Sequence, residues 1–80
     1  MKPAKDLSPA FSKVMKKHRL AKGISMLQLA ELAAVDKTYI GKLERGARAP
    51  TIDTANRLAQ ALKIPLWKLI KEAEGTKNAS

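Results

Sequence analysis

The chain has no cysteine among its 80 residues, which excludes a disulfide framework, a thiolate metal site and a thiol nucleophile. It has one histidine, His18, so no His–His pair can hold a metal. Aromatic side chains amount to one Phe, one Tyr and one Trp. No apolar run approaches the roughly 18 residues of a membrane span, and no signal-peptide core follows the basic start. No nucleophile–base or paired-carboxylate spacing appears, so no catalytic residue, cofactor or small-molecule ligand is expected. Acids are also scarce: 7 Asp and Glu face 16 Lys and Arg, a formal net charge of +9. With 45% hydrophobic residues the chain can still bury a core, so it reads as one small soluble domain rather than a basic tail. The partner such a domain suits is a polyanion.

The charge is unevenly spread. Residues 1–50 hold 11 bases and 4 acids, net +7, whereas residues 51–80 hold 5 and 3, net +2. A nucleic-acid surface is therefore expected in the first fifty residues, and a supporting or protein-contacting surface after them.

Helix signals divide the chain into five short segments, with no strand pattern and no internal repeat. Ser8-Pro9 reads as a cap with proline at the first helical position, opening a helix over 9–22 that Gly23 stops. Ser25 and Gln28 form a capping box for a second helix, with Ile24 stapled onto Leu29 and a buried stripe of Leu29, Leu32 and Ala33. After the turn Ala34-Val35-Asp36, Asp36 caps a third helix that ends before Gly46, with Ile40 and Leu43 inward. Thr51 caps a fourth, with Ile52, Ala55, Leu58, Ala59 and Leu62 as its stripe. Ile64-Pro65 breaks it, and a fifth helix carries Leu66, Trp67, Leu69 and Ile70 to a stop near Glu74–Gly75. The expected organisation is a flexible basic arm over 1–8, a folded domain over 9–75 and a tail over 76–80.

Two short helices joined by three residues leave no room for an antiparallel hairpin, and the helix-turn-helix arrangement fits that joint. In it the second helix can enter a major groove. Lys37, Thr38, Gly41, Lys42 and Arg45 are expected on its exposed side, which carries no acid.

Here the sequence resembles a known family. Gly23 through Ala33, followed by Val35-Asp36-Lys37-Thr38-Tyr39-Ile40-Gly41-Lys42-Leu43-Glu44-Arg45-Gly46-Ala47-Arg48-Ala49-Pro50, is similar to the motif of the XRE, or lambda-repressor/Cro-like, regulators. Thr54 to Ile70 is similar to the last two helices of that domain. The Asp-Lys-Thr-Tyr-Ile and Glu-Arg-Gly-x-Arg elements resemble those of restriction–modification controller proteins. The resemblance implies an all-α, five-helix lambda-repressor-like fold and a cytoplasmic regulator that binds double-stranded DNA. It places Lys37, Thr38 and Lys42 at base edges, Tyr39 at the sugar–phosphate backbone, Arg48 at the backbone or a groove edge, and Ser25 and Gln28 at a phosphate. It also pairs Arg19 with Glu44. Two residues depart from the pattern: Met26 stands where a polar residue is usual, and Ala34 where glycine is usual.

A single recognition helix reads about four base pairs, so a homodimer on a pseudo-palindromic operator is expected. Trp67 is the one large anchor in the chain, either ordinary core or part of a dimer surface with Leu66, Leu69 and Ile70. Binding beside a promoter would bring contact with RNA polymerase. The competing reading is an antitoxin-like or adaptor module whose main partner is another protein.

Overall fold

A computed structural model of the chain describes residues 7–78, and the side chains of residues 7–75. It contains five helices: α1 (Ser8–Ala21), α2 (Met26–Ala33), α3 (Lys37–Glu44), α4 (Ile52–Leu62) and α5 (Leu66–Asn78). No strand occurs among the described residues.

The boundaries follow from local chemistry. The α2 capping box is complete: Gln28 N–H donates to Ser25 Oγ at 3.0 Å, and Ser25 N–H donates to Gln28 Oε1 at 2.8 Å. Asp36 Oδ1 accepts from Thr38 N–H at 2.9 Å, and Thr51 Oγ1 accepts from Thr54 N–H at 3.1 Å. These bonds satisfy orphan amides of the first turns of α2, α3 and α4. The α1 start differs from expectation. The helix begins at Ser8, Leu7 is its cap position without a side-chain bond, and Pro9 falls one residue inside. Proline's fixed φ suits the whole first turn, where its missing N–H costs nothing.

Two clusters make the core. Met15, Leu29, Ala30, Ala33, Ile40, Leu43, Leu58 and Leu62 hold α1, α2, α3 and α4 together. Phe11, Val14, Ala55, Ala59, Leu69 and Ala73 hold α1, α4 and α5 together, and Ile64 packs against both clusters. Ile24, expected as a staple, is half-buried against the first cluster, and so is Val35.

Four sequence expectations are corrected. Leu32 is 63% exposed, and Ala30 takes its place in the core, because the face of α2 turned to the first cluster is that of Leu29, Ala30 and Ala33. Ile52 is 83% exposed: the inward face of α4 starts at Ala55, and the first helical residue lies beyond it. Leu69 is fully buried and cannot belong to a dimer surface. With Ala73 one turn on, it faces α1, while Leu66 and Ile70 are half-buried at the edge of that contact. Finally, α5 runs through Gly75 to Asn78 instead of stopping near Glu74. The predicted basic arm over 1–8 lies outside the described residues except for Leu7 and Ser8, and Ser8 is helical. Of the predicted tail, residues 76–78 are helical and residues 79–80 lie outside the described chain.

Candidate nucleic-acid interface

The joint between α2 and α3 is the three-residue turn Ala34-Val35-Asp36. Ala34 takes the left-handed conformation (φ 59°, ψ 46°), and Val35 N–H reaches back to Ala30 O at 2.9 Å. Arg57 on α4 donates from Nη1 to Ala34 O at 3.3 Å, which ties the turn to the body.

Beyond the turn, α3 is buried along Ile40, Gly41 and Leu43. Gly41 lies on the same face as Lys37 and Thr38, as expected, but is itself buried, with the Arg45 guanidinium close over it. Lys37, Thr38, Lys42 and Arg45 are exposed on the helix and its end, and Arg48 is exposed in the loop that follows. Asp36 caps the start of the helix, and Glu44 is the acid within it. Glu44 is turned inward: its side chain is 5% exposed and its Oε2 lies 2.7 Å from Arg19 Nε on α1. This removes a negative charge from the outer face and leaves four cations between residues 37 and 48. The hydrogen bond to Glu44 raises the Arg19 pKa from its ordinary value, against the opposing effect of burial.

Tyr39 is half-buried, packed against the first core cluster, and the Arg48 guanidinium carbon stands 6.0 Å from its ring centroid. That distance is within the range of a cation–π contact and holds the loop after α3 near the helix. Ser25 and Gln28 are exposed at the start of α2, with their acceptor oxygens occupied by the capping box. The Ser25 hydroxyl hydrogen and the Gln28 amide hydrogens are the donors they offer to an anion.

The sequence-derived residues do not form one patch with equal roles. Lys37 and Thr38 share a notch with Met26, Gly41 and Arg45. Met26 and Arg45 were not assigned to the interface from sequence. The signal for Arg45 is its spacing, four residues after Gly41 and eight after Lys37 on one helical face. Nothing in the sequence marks Met26 beyond its departure from the family pattern.

An apolar groove runs between the starts of α1, α4 and α5, lined by Leu7, Phe11, Ile52, Ala55, Leu66 and Ile70. Trp67, adjacent to Leu66, is 65% exposed, which excludes the reading of Trp67 as ordinary core. On the α1–α5 side, His18 Nε2 lies 2.9 Å from Glu72 Oε2, and Lys17 Nζ lies 3.3 Å from Glu72 Oε1. Burial pushes the Glu72 carboxyl up, but the hydrogen bonds from His18 and Lys17 outweigh it and hold the pKa below its ordinary value. No group of three or more His, Asp or Glu side chains suited to a metal occurs among the described residues. No described helix is long and apolar enough to cross a membrane.

Residues 15–66 match the helix-turn-helix family model. The control protein C.SmaI of Serratia marcescens is 34% identical over 73 residues, covering 91% of this chain and 86% of that protein. The restriction–modification controller protein C.AhdI of Aeromonas hydrophila has 38% sequence identity and a TM-score of 0.74, covering 80% of this chain and 96% of its own. The controller C.Esp1396I, solved as a tetramer in complex with its natural 35-base-pair operator, has 34% identity and a TM-score of 0.76 over 88% of this chain and 97% of its own. The chain belongs to the XRE-type helix-turn-helix family of transcriptional regulators, with restriction–modification controller proteins among its homologues.

Proposed function

We propose that the protein is a transcriptional regulator that binds double-stranded DNA sequence-specifically as a homodimer, on a pseudo-palindromic operator. The observation that carries this reading is the surface of α3: exposed cations, and an acid drawn inward by Arg19. Lys37 and Lys42 donate to guanine O6 and N7, and Thr38 meets a base edge or a thymine methyl. Arg48, Tyr39, Ser25 and Gln28 hold the sugar–phosphate backbone and fix the helix in the groove. A second copy docks through the groove beside Ile52, Leu66, Trp67 and Ile70, placing two copies of α3 one helical turn, about 34 Å, apart.

Regulation follows from occupancy. A dimer over a promoter blocks RNA polymerase, and a dimer beside it offers polymerase a contact. No catalytic step is part of this reading, and the protein works in the cytoplasm, where the operator is. C.Esp1396I on its operator supports the oligomeric arrangement by likeness.

Selection of bound fragments from a random duplex library tests the proposal. The expected product is a consensus of two inverted half-sites about one helical turn apart. Enrichment without a consensus, or of a single unrepeated site, contradicts it. A different protein in the Trp67 groove is the competing occupant; recovery of a 1:1 complex with such a protein, with no dimer formed, would favour the adaptor reading.

A further inference from the structure

Gly41 stands in the interior of α3, a position where glycine weakens a helix and where its φ is not positive. No turn calls for it there. What occupies its missing side chain is Arg45: a Cβ on residue 41 would stand 3.2 Å from Arg45 Nη1. The guanidinium therefore lies back over the preceding turn instead of extending freely, and Gly41 is buried beneath it. Met26 faces the same notch from the start of α2. Part of its side chain packs on the core, and the rest lines the notch with Lys37, Thr38, Gly41 and Arg45.

The notch combines two cations, no acid and an apolar, polarisable thioether. Its occupant must carry acceptors or negative charge beside something apolar. On the major-groove edges of duplex DNA the apolar group is the thymine C5-methyl, and the acceptor pair suited to a guanidinium is guanine O6 and N7. We propose that this notch is a specificity subsite: Met26 receives the methyl of one thymine in each half-site, and Arg45, positioned by Gly41, reads the neighbouring guanine. The assignment rests on α3 lying in the major groove, as proposed above.

The test starts from the duplex selected by the unaltered protein. Deoxyuridine replaces thymidine one position at a time, which deletes the methyl and keeps every hydrogen-bonding group. One position per half-site is expected to lose about fourfold in affinity, the worth of one buried methyl. Met26→Gln, with melting checked, should bind the thymine and uracil forms of that position equally. Arg45→Ala should flatten the guanine preference beside it while leaving the preference at the Lys37 position intact. A flat uracil scan, half-sites without thymine, or a uracil penalty that Met26→Gln retains overturns the assignment while leaving DNA reading by α3 in place. The scan of the unaltered protein depends on no variant. If no duplex is selected at all, the DNA reading falls and this assignment with it.

Discussion

Arg19 on α1 grips Glu44 on α3 by two bonds, Nε to Oε2 at 2.7 Å and Nη2 to Oε1 at 3.0 Å, while its Nη1 donates to Ile24 O at 2.9 Å. One guanidinium thus fixes the end of α1, the entry to α2 and the inner side of α3. Both side chains are nearly buried, so breaking the pair leaves an uncompensated charge in the core. Glu44→Ala is expected to cost about 3–5 kcal/mol in urea denaturation. Arg19→Lys should also weaken the fold, because an ammonium cannot reproduce the side-on geometry. The apolar double variant Arg19→Met/Glu44→Leu should recover much of the loss. The raised Arg19 pKa means its contribution is fully present below the ordinary arginine range, so this pair gives no pH dependence from the arginine side near neutrality. A loss below about 1 kcal/mol for Glu44→Ala, the worth of a surface pair, would contradict this description.

Ala34 holds a left-handed conformation that costs a side-chain-bearing residue about 1 kcal/mol. Ala34→Gly should therefore raise stability by no more than about 0.6 kcal/mol, after the greater freedom of glycine in the unfolded chain is counted. Its affinity for the selected duplex should be unchanged, since glycine adopts the same left-handed turn geometry without moving α3. Thermal melting read beside a binding titration checks both halves; a lower melting temperature argues against strain at this position.

Glu72 ties α5 to α1 through His18 and Lys17. Its folded pKa is lowered, so the stability it contributes is present above the ordinary glutamate range and is lost as pH falls through the folded value. Glu72→Gln should destabilise the protein by no more than about 1 kcal/mol at pH 7, because the Lys17 end is solvent-exposed. The difference between variant and parent should shrink on acidification below about pH 4.3. A difference that stays constant from pH 7 to pH 3 would assign the role of Glu72 to packing.

The groove beside Ile52 and the exposed Trp67 predict a concentration-dependent dimer. The single tryptophan reports on it directly. Emission should shift to shorter wavelength as protein concentration rises, and sedimentation should show the dimer in parallel. Ile52→Asp should keep the helical content and leave a monomer, because Ile52 lies outside the core. A dimer that survives Ile52→Asp and Trp67→Ser together would place the self-association surface elsewhere.

The sequence was most informative where one residue type has one use. The Ser25–Gln28 box, the Asp36 and Thr51 caps and the Arg19–Glu44 pair all stand where expected, because each depends on short spacing or on the family pattern. Helical phase at element ends was less legible. Ile52, Leu32 and Leu69 are all apolar at plausible spacing, and only the packing of α2 on α4 and of α5 on α1 decides which of them is covered. The Met26–Gly41–Arg45 notch was invisible for a related reason. It joins residues of two helices across a turn, and the role of Gly41 is defined by a side chain that folds back over it.

The central claim is that α3 reads base edges and does not merely attract phosphates. With on the order of 6–10 phosphate contacts per dimer, all binding should weaken about 10³–10⁵-fold between 50 and 200 mM salt, so the comparison must be made at one salt concentration. The decisive measurement is the ratio of affinities for the selected duplex and a scrambled duplex, taken for the unaltered protein and for Lys37→Ala. Loss of a base contact worth about 1–3 kcal/mol should lower affinity for the selected duplex about 5- to 150-fold and affect the scrambled duplex far less, so the ratio collapses. Equal losses on both duplexes, with the ratio unchanged, would contradict base readout by α3.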